Sequence, residues 1–217
     1  MGPSGGGKST IAQLLLHFYE TDEVTIKIGG VDIREVTHDE LVKNIAYVFQ
    51  DPFIFSDTIE NNIRMGRENA SHDEVIAAAK AANIHDMIMA LPKGYDTVVS
   101  DSAGLSGGEK QRIAIARAML KDAPIVILDE ATAYADAENE ARIQQAFSRL
   151  SKGKTVIMIA HRLKTIQNSD TILVMNGGRL EASGRHEELM QSSRLYRDMV
   201  AANERRDSWS MRKEVKA

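Results

Sequence analysis

A glycine-rich loop that runs directly into a helical pattern is the feature that most constrains this sequence. Residues 2–9 read Gly-Pro-Ser-Gly-Gly-Gly-Lys-Ser and fit the phosphate-loop pattern G-x-x-x-x-G-K-[ST]. Glycines allow successive backbone N–H groups to turn towards phosphate oxygens, and the following helix directs its positive end at the same anion. We predict that Lys8 reaches the β- and γ-phosphates of a nucleotide and that Ser9 binds Mg²⁺. The predicted phosphate-binding residues are Gly2, Pro3, Ser4, Gly5, Gly6, Gly7, Lys8, Ser9 and Thr10.

Two adjacent carboxylates follow an apolar run in the second half of the chain. The run Ile125–Leu128 is typical of a buried strand, and Asp129 and Glu130 come directly after it. A buried strand would deliver Asp129 at its carboxyl end, beside the phosphate loop, where we predict that it holds Mg²⁺. Glu130 is one residue further on and faces a different direction. We predict that Glu130 polarises the attacking water as a general base.

A second glycine pair precedes another helical pattern. Residues Leu105–Glu109 read Leu-Ser-Gly-Gly-Glu and lead into a predicted helix over residues 110–120. Ser106 and Glu109 have the spacing of a capping box, which by itself predicts only a helix start. Two glycines at a helix N-terminus also form an anion site. Because one chain carries one phosphate loop, a second anion site favours a nucleotide site shared between two subunits.

The rest of the sequence predicts an α/β core interrupted by a helical segment. Residues 1–50 and 124–200 contain the apolar, β-rich runs of a mainly parallel sheet, whereas residues 51–123 show helical patterns. Residues 205–217 are rich in Arg, Lys and Glu and are expected to fray. We therefore predict one domain over residues 1–217, with a helical subdomain inserted into its core.

Composition excludes several classes of protein. The 217 residues are 43% hydrophobic and 27% charged, which is typical of a globular chain rather than a disordered one. The absence of cysteine excludes disulfides and thiolate-bound metal. A formal charge of −4 gives no reason to expect a nucleic-acid partner. No apolar stretch approaches the roughly 18 residues of a membrane span.

The combination of these motifs resembles the ATP-binding cassette (ABC) ATPases over nearly the whole chain. Leu105–Glu109 matches the signature motif of that family and lies upstream of the Asp129–Glu130 pair, as the family requires. The resemblance implies the ABC ATPase fold, which is a P-loop NTPase core with an inserted helical subdomain, and it implies ATP and Mg²⁺ as cofactors. It also implies a Q-loop role for Gln50, which contacts Mg²⁺ and the attacking water. His161 resembles the switch histidine that contacts the γ-phosphate, and Asp136 resembles the D-loop aspartate that reaches across the dimer.

The same resemblance implies two partners. In the family, two ATPase domains, identical or different, sandwich two ATP molecules, and each phosphate loop faces the signature loop of the other subunit. The signature residues here are Ser106, Gly107, Gly108 and Glu109. Residues 53–59 and 94–99 are similar to the segments of exporter-type ABC transporters that meet the transmembrane domain. This implies a location at the cytoplasmic face of the cell membrane, through a membrane domain outside this sequence.

The function that this resemblance implies is a motor that binds and hydrolyses ATP and couples dimerisation to transport across a membrane. One alternative is a truncated cassette without ATPase activity of its own. The family pattern places a strand and an adenine-stacking aromatic residue before the phosphate loop, and this sequence lacks both, so we expect it to be incomplete at its N-terminus. A non-transport ABC ATPase is disfavoured, because the insert is too short for a long coiled coil and only one cassette is present.

Overall fold

Helices and strands alternate through most of the chain. The computed structural model describes residues 1–20, 24–99, 104–129, 137–159 and 166–214. The strands are β1 (Lys27–Ile28), β2 (Val31–Asp32), β3 (Ile45–Val48), β4 (Asp57–Thr58), β5 (Val98–Val99), β6 (Ile125–Asp129), β7 (Thr155–Ile159), β8 (Ile172–Asn176) and β9 (Arg179–Gly184). The helices are α1 (Lys8–Leu15), α2 (His38–Lys43), α3 (Ile59–Arg64), α4 (His72–Ala81), α5 (His85–Met89), α6 (Gly107–Lys121), α7 (Ala137–Leu150), α8 (His186–Ser192) and α9 (Arg194–Glu214).

The apolar runs form a sheet with the strand order β3-β6-β7. Strands β3 and β6 are parallel, with Ile45 opposite Ile125 and Val48 opposite Leu128. Val48, Val126 and Leu128 are almost completely buried. Parallel strands are covered on both faces, which is why these segments read as continuous apolar runs instead of alternating ones. Asp129 is the last residue of β6 and therefore lies at the end of a buried strand.

Helix α6 lies at the centre of the helical segment that follows the first part of the sheet. It packs against α3, α4 and α7 and against strand β3. Its buried residues Ile113, Ile115 and Ala116 belong to one apolar core that also contains Ile59 of α3 and Val75 of α4. Within the described ranges, no helix combines the length and apolar character needed to cross a membrane.

The chain divides into two compact units. The terminal unit consists of Met1–Leu14 together with Ile159–Ala217, and the central unit consists of Leu15–Met158. The terminal unit contains the antiparallel hairpin β8–β9, in which Ile172 lies opposite Gly184 and Asn176 opposite Arg179. Helix α9 continues through residues 205–214, which composition had led us to expect to fray.

Gly66, in the turn after α3, lies close to the backbone of helix α6. A Cβ atom on Gly66 would lie 2.2 Å from the carbonyl oxygen of Arg117 and 3.1 Å from the backbone nitrogen of Lys121. We expect Gly66→Ala to lower the free energy of unfolding by about 1–3 kcal/mol, because the backbone of α6 must move to accept the methyl group. Urea unfolding at fixed pH measures this change.

The control for that variant is Asn69→Ala in the same turn. Asn69 is exposed, so its truncation should change the unfolding free energy by less than about 0.5 kcal/mol. Equal stability of Gly66→Ala and the unaltered chain would contradict the close approach of the turn to α6.

Candidate functional site

The glycine-rich loop adopts a tight turn that ends in helix α1. Gly5 and Gly7 have φ angles of +73° and +91°, in the region that side-chain-bearing residues rarely adopt. The N–H of Gly6 donates to the carbonyl of Pro3 at 3.1 Å, which closes the turn. Pro3, Ser4 and Gly5 are exposed. The loop therefore presents an accessible backbone face at the N-terminus of a helix, an arrangement suited to an anion.

The hairpin β8–β9 supports this loop within the terminal unit. The N–H of Met175, in β8, donates to the carbonyl of Met1 at 2.7 Å, and the N–H of Gly178, in the hairpin turn, donates to the carbonyl of Gly6 at 3.2 Å. Both bonds join backbone groups, so they fix the path of the loop irrespective of its side chains. Sequence reasoning did not identify this support, because the hairpin carries no motif that points to the loop.

Lys8 places its ammonium group inside the loop. Its Nζ donates to the carbonyl oxygens of Gly2 at 3.0 Å and Pro3 at 2.9 Å. Neutral carbonyls are weaker acceptors for an ammonium than phosphate oxygens, so a bound phosphate competes well for this cation. Ser9 and Thr10, in the first turn of α1, are exposed. The donor set of the loop fits the phosphates of a nucleotide.

Asp129 has one carboxylate oxygen engaged and the other available. Its Oδ2 accepts a hydrogen bond from the hydroxyl of Tyr47 at 2.8 Å. Its Oδ1 is buried, and it has no hydrogen-bond partner among the residues that the structure describes. Burial, together with the bond to Asp129, raises the pKa of Tyr47 above its ordinary range, so the hydroxyl remains protonated and donates. A buried carboxylate oxygen without a donor suits a hard cation such as Mg²⁺.

Gln50 lies just beyond the end of β3 and is exposed. The backbone of the preceding residue, Phe49, is bonded to helix α6. The carbonyl of Phe49 accepts a hydrogen bond from Nε2 of Gln111 at 3.3 Å. Gln111 is buried in helix α6. Sequence reasoning missed both Tyr47 and Gln111, because their contacts depend on which strands and helices are neighbours.

The second glycine-rich segment begins helix α6 with the predicted cap. The Oγ of Ser106 accepts from the N–H of Glu109 at 3.3 Å, and Oε2 of Glu109 accepts from the N–H of Ser106 at 2.8 Å. Ser106 and Gly107 are exposed, whereas Gly108 is buried. The cap leaves Ser106 and Gly107 accessible at the start of the helix.

The predicted site residues fall into three groups. Gly2 to Thr10 lie in the terminal unit, while Gln50, Asp129 and the segment Ser106–Glu109 lie in the central unit. Glu130, Asp136 and His161 lie outside the described residues. Within the described part of the chain, no group of three or more His, Asp or Glu residues is arranged to hold a metal ion by itself. A single carboxylate supplemented by substrate oxygens is the usual protein contribution to a Mg²⁺ site.

The two segments that resemble membrane-domain contacts are joined to each other. Strand β4 lies within residues 53–59, strand β5 lies within residues 94–99, and the two strands pair antiparallel. Phe53 and Phe55 pack edge to face at 4.7 Å between ring centroids, and they remain 57% and 45% exposed. The guanidinium of Arg117 lies over the ring of Phe55 at 5.8 Å. The central unit therefore carries an ordered surface with exposed aromatic rings.

Comparison with known proteins gives long and close matches. A sequence profile of the family described as ABC transporter matches residues 1–133. The chain is 48% identical over 205 residues to the mycobactin import ATP-binding/permease protein IrtA of Mycolicibacterium smegmatis, covering 94% of this chain and 24% of that protein. It is 50% identical over 200 residues to human ATP-binding cassette sub-family B member 6, covering 92% of this chain and 24% of that protein.

A bacterial relative and a solved structure extend these matches. The chain is 49% identical over 200 residues to the ATP-dependent lipid A-core flippase of Saccharophagus degradans, covering 92% of this chain and 34% of that protein. The structure of a bacterial Atm1-family ABC exporter with ATP bound matches with a TM-score of 0.87 and 50% identity, covering 93% of this chain and 35% of that one. The chain spans about a quarter to a third of the length of these relatives. The structural match confirms the predicted α/β fold.

Proposed function

This chain belongs to the ABC transporter family, and on that premise we propose that it is the ATP-hydrolysing motor of an exporter-type transporter. The observation that carries the proposal concerns Asp129, the last residue of the buried strand β6. Its Oδ1 is buried and has no hydrogen-bond donor among the described residues. An unpartnered carboxylate oxygen in such a place is costly unless a ligand uses it. A cation bound with a nucleotide is the ligand that fits.

Nucleotide binding is assigned to the phosphate loop. The loop N–H groups and Lys8 would take the phosphates, with Lys8 exchanging the carbonyls of Gly2 and Pro3 for phosphate oxygens. By the family resemblance of their motifs, the Ser9 hydroxyl, Asp129 and Gln50 are assigned as the residues that would hold Mg²⁺. When bound, that cation neutralises charge on the β- and γ-phosphates. The residues of this chain then have to orient one water and accept its proton.

Hydrolysis is assigned to three residues around the γ-phosphate. We assign Glu130 as the general base, since it directly follows Asp129 at the end of β6. Gln50 would orient the same water with its side-chain amide. His161 would contact the γ-phosphate and report its presence. These roles follow the family resemblance of the motifs.

A second ATPase domain completes the site in this proposal. The accessible first turn of α6, with Ser106 and Gly107 exposed, would face the γ-phosphate held by the partner's phosphate loop. Gly108, Glu109 and Asp136 would belong to the same interface. ATP then acts as the bridge between two domains, and its hydrolysis releases them. Whether the two domains are identical does not alter this chemistry.

The proposed membrane partner binds the surface around Phe53 and Phe55. Exposed aromatic rings supported by the half-buried Arg117 suit a helix end from a transmembrane domain. Burial lowers the pKa of Arg117, which nevertheless donates to the carbonyl oxygens of Asn62 and Phe53 and is held rigidly. A domain docked there would lie at the cytoplasmic face of the membrane, where ATP is available.

Thermal unfolding with nucleotide tests the proposed function. A ligand present at 100 times its dissociation constant stabilises the folded state by about 2.7 kcal/mol, which raises the unfolding temperature of a chain of this size by roughly 5–10 °C. We expect ATP with Mg²⁺ to produce this increase and ATP with EDTA to produce a smaller one. Phosphate release measured on the same sample establishes turnover. An unfolding temperature that ignores ATP and Mg²⁺ at millimolar concentration contradicts the proposal.

A further inference from the structure

We propose that Tyr47 is a positioning residue for the metal, because its hydroxyl orients the carboxylate of Asp129 so that Oδ1 is presented for Mg²⁺. This inference rests on the proposed function, which makes Asp129 a metal ligand. Tyr47 does not itself contact the ion in the proposal. It acts through a single hydrogen bond to the oxygen that the metal does not use.

The register of the sheet brings the two side chains together. Tyr47 lies opposite Ile127 in the parallel pair β3–β6. Asp129 is two residues beyond Ile127, and residues two apart on a strand point to the same face. The diagonal distance between such positions is within reach of an aromatic side chain. The hydroxyl of Tyr47 accordingly meets Oδ2 of Asp129 at 2.8 Å.

The ring of Tyr47 is itself held in place. It packs against the ring of Phe49 with a centroid separation of 4.2 Å and an interplanar angle of 31°. The carbonyl of Phe49 accepts from Gln111, so the backbone next to this ring is tied to helix α6. A fixed ring gives the hydroxyl a fixed position, and the carboxylate it binds cannot rotate freely. Oδ1 is then left buried, without a donor among the described residues.

The hydroxyl also decides which oxygen is free. Because a tyrosine hydroxyl has one proton, it can occupy one oxygen of Asp129 and leaves the other available. An apolar residue in place of Tyr47 would leave both oxygens of Asp129 without a donor among the described residues, and the carboxylate would lose the contact that orients it. Residues that orient a metal ligand from behind typically contribute about 10- to 100-fold in metal affinity or activity. We expect the lower end of this range, because one hydrogen bond is involved.

The test is a Mg²⁺ titration of the ATP-dependent unfolding temperature. The 217-residue chain is mixed with a fixed concentration of ATP and increasing MgCl₂, and the Mg²⁺ concentration at half-maximal stabilisation is determined. Because Mg²⁺ binding to free ATP is the same in every sample, a difference between variants reports on the protein. We expect Tyr47→Phe to raise this midpoint about tenfold. We expect the stabilisation by ATP in EDTA to stay as in the unaltered chain, since the phosphate loop is unchanged.

The matched control is Tyr196→Phe. Tyr196 is fully buried, and its hydroxyl is 2.8 Å from Nδ1 of His186, so this variant also removes a bonded phenol hydroxyl. Its Mg²⁺ midpoint should equal that of the unaltered chain. A second pair, Tyr47→Gln and Tyr47→Leu, removes the ring in both cases but keeps a donor only in Gln. If Tyr47→Phe does not fold, the proposal requires that the Mg²⁺ concentration at half-maximal stabilisation be lower for Tyr47→Gln than for Tyr47→Leu.

A double-mutant cycle with Asp129→Asn tests the role of Tyr47 separately from the proposed function, which makes Asp129 a metal ligand. If Tyr47 acts through Asp129, then Tyr47→Phe adds no further increase once Asp129 is replaced by Asn. A normal midpoint in Tyr47→Phe together with a raised midpoint in Asp129→Asn overturns the inference and leaves the proposed function intact. An equal loss of ATP stabilisation with and without Mg²⁺ assigns Tyr47 a merely structural role and also overturns the inference. If the unaltered chain shows no response to Mg²⁺, the proposed function is overturned and the inference with it.

Discussion

Replacing Glu130 by Gln is expected to lower the rate of ATP turnover by about 10²–10⁴-fold while leaving ATP binding intact. A positioned general base contributes a factor of this size. Gln keeps the volume and can still accept a hydrogen bond from water, but it cannot take the proton. The loss should therefore appear in the rate of phosphate release and not in the ATP concentration that gives half-maximal thermal stabilisation.

The control for this variant is Glu68→Gln, an exposed acid of the central unit. This control makes the same chemical change away from the candidate site, and its turnover should equal that of the unaltered chain. The stalled Glu130→Gln variant should also accumulate as an ATP-bound dimer, which light scattering detects as a doubled mass. Turnover of the Gln variant at the normal rate would overturn the assignment of Glu130 as the base.

Lys8→Ala is expected to weaken ATP binding by about 10- to 100-fold. Hydrogen bonds between charged partners contribute about 1.5–3 kcal/mol each, and the ammonium of Lys8 is positioned inside the loop that would hold the phosphates. The variant also removes the Nζ donor from the carbonyls of Gly2 and Pro3, although the carbonyl of Pro3 keeps its bond from the N–H of Gly6. Titration with ATP in EDTA measures the effect directly, because it removes the metal contribution of Asp129.

The matched control here is Lys43→Ala, an exposed lysine at the end of α2. It removes one positive charge elsewhere on the chain, so it corrects for any change in net charge. ATP affinity should be the same for Lys43→Ala and the unaltered chain. Equal affinity for Lys8→Ala would show that the loop does not bind the phosphates through this residue.

Local features were predictable from the sequence because their causes are local. The capping boxes at Thr37, Ser71 and Ser106 each require only a hydroxyl and a glutamate three residues later, and all three are present. The buried strand β6 could be predicted because a strand covered on both faces has no polar positions to interrupt it. Motif spacing likewise locates the phosphate loop without any knowledge of its neighbours.

Contacts that depend on register and on distant pairing were not predictable in the same way. Nothing in the run Ile45–Val48 shows that Tyr47 reaches Asp129, since the contact exists only because β3 lies beside β6 in one register.

The boundaries of helices and strands also differ from those that the sequence pattern predicts. Residues 24–28 alternate like a strand, but the strand in the structure is Lys27–Ile28, and Val24 is 60% exposed. Helix α6 begins at Gly107 and not at Lys110, because its cap includes both glycines in the first turn.

The support of the phosphate loop by the β8–β9 hairpin has a consequence for biosynthesis. The ribosome makes Gly6 long before Gly178, yet the carbonyl of one accepts from the N–H of the other. At translation rates of about 5–20 residues per second, roughly 10–30 s pass between the synthesis of Gly6 and the synthesis of Gly178. The backbone support of the loop therefore forms only after the intervening residues have been made. The contacts that fix the path of the loop are completed only after the hairpin has left the exit tunnel.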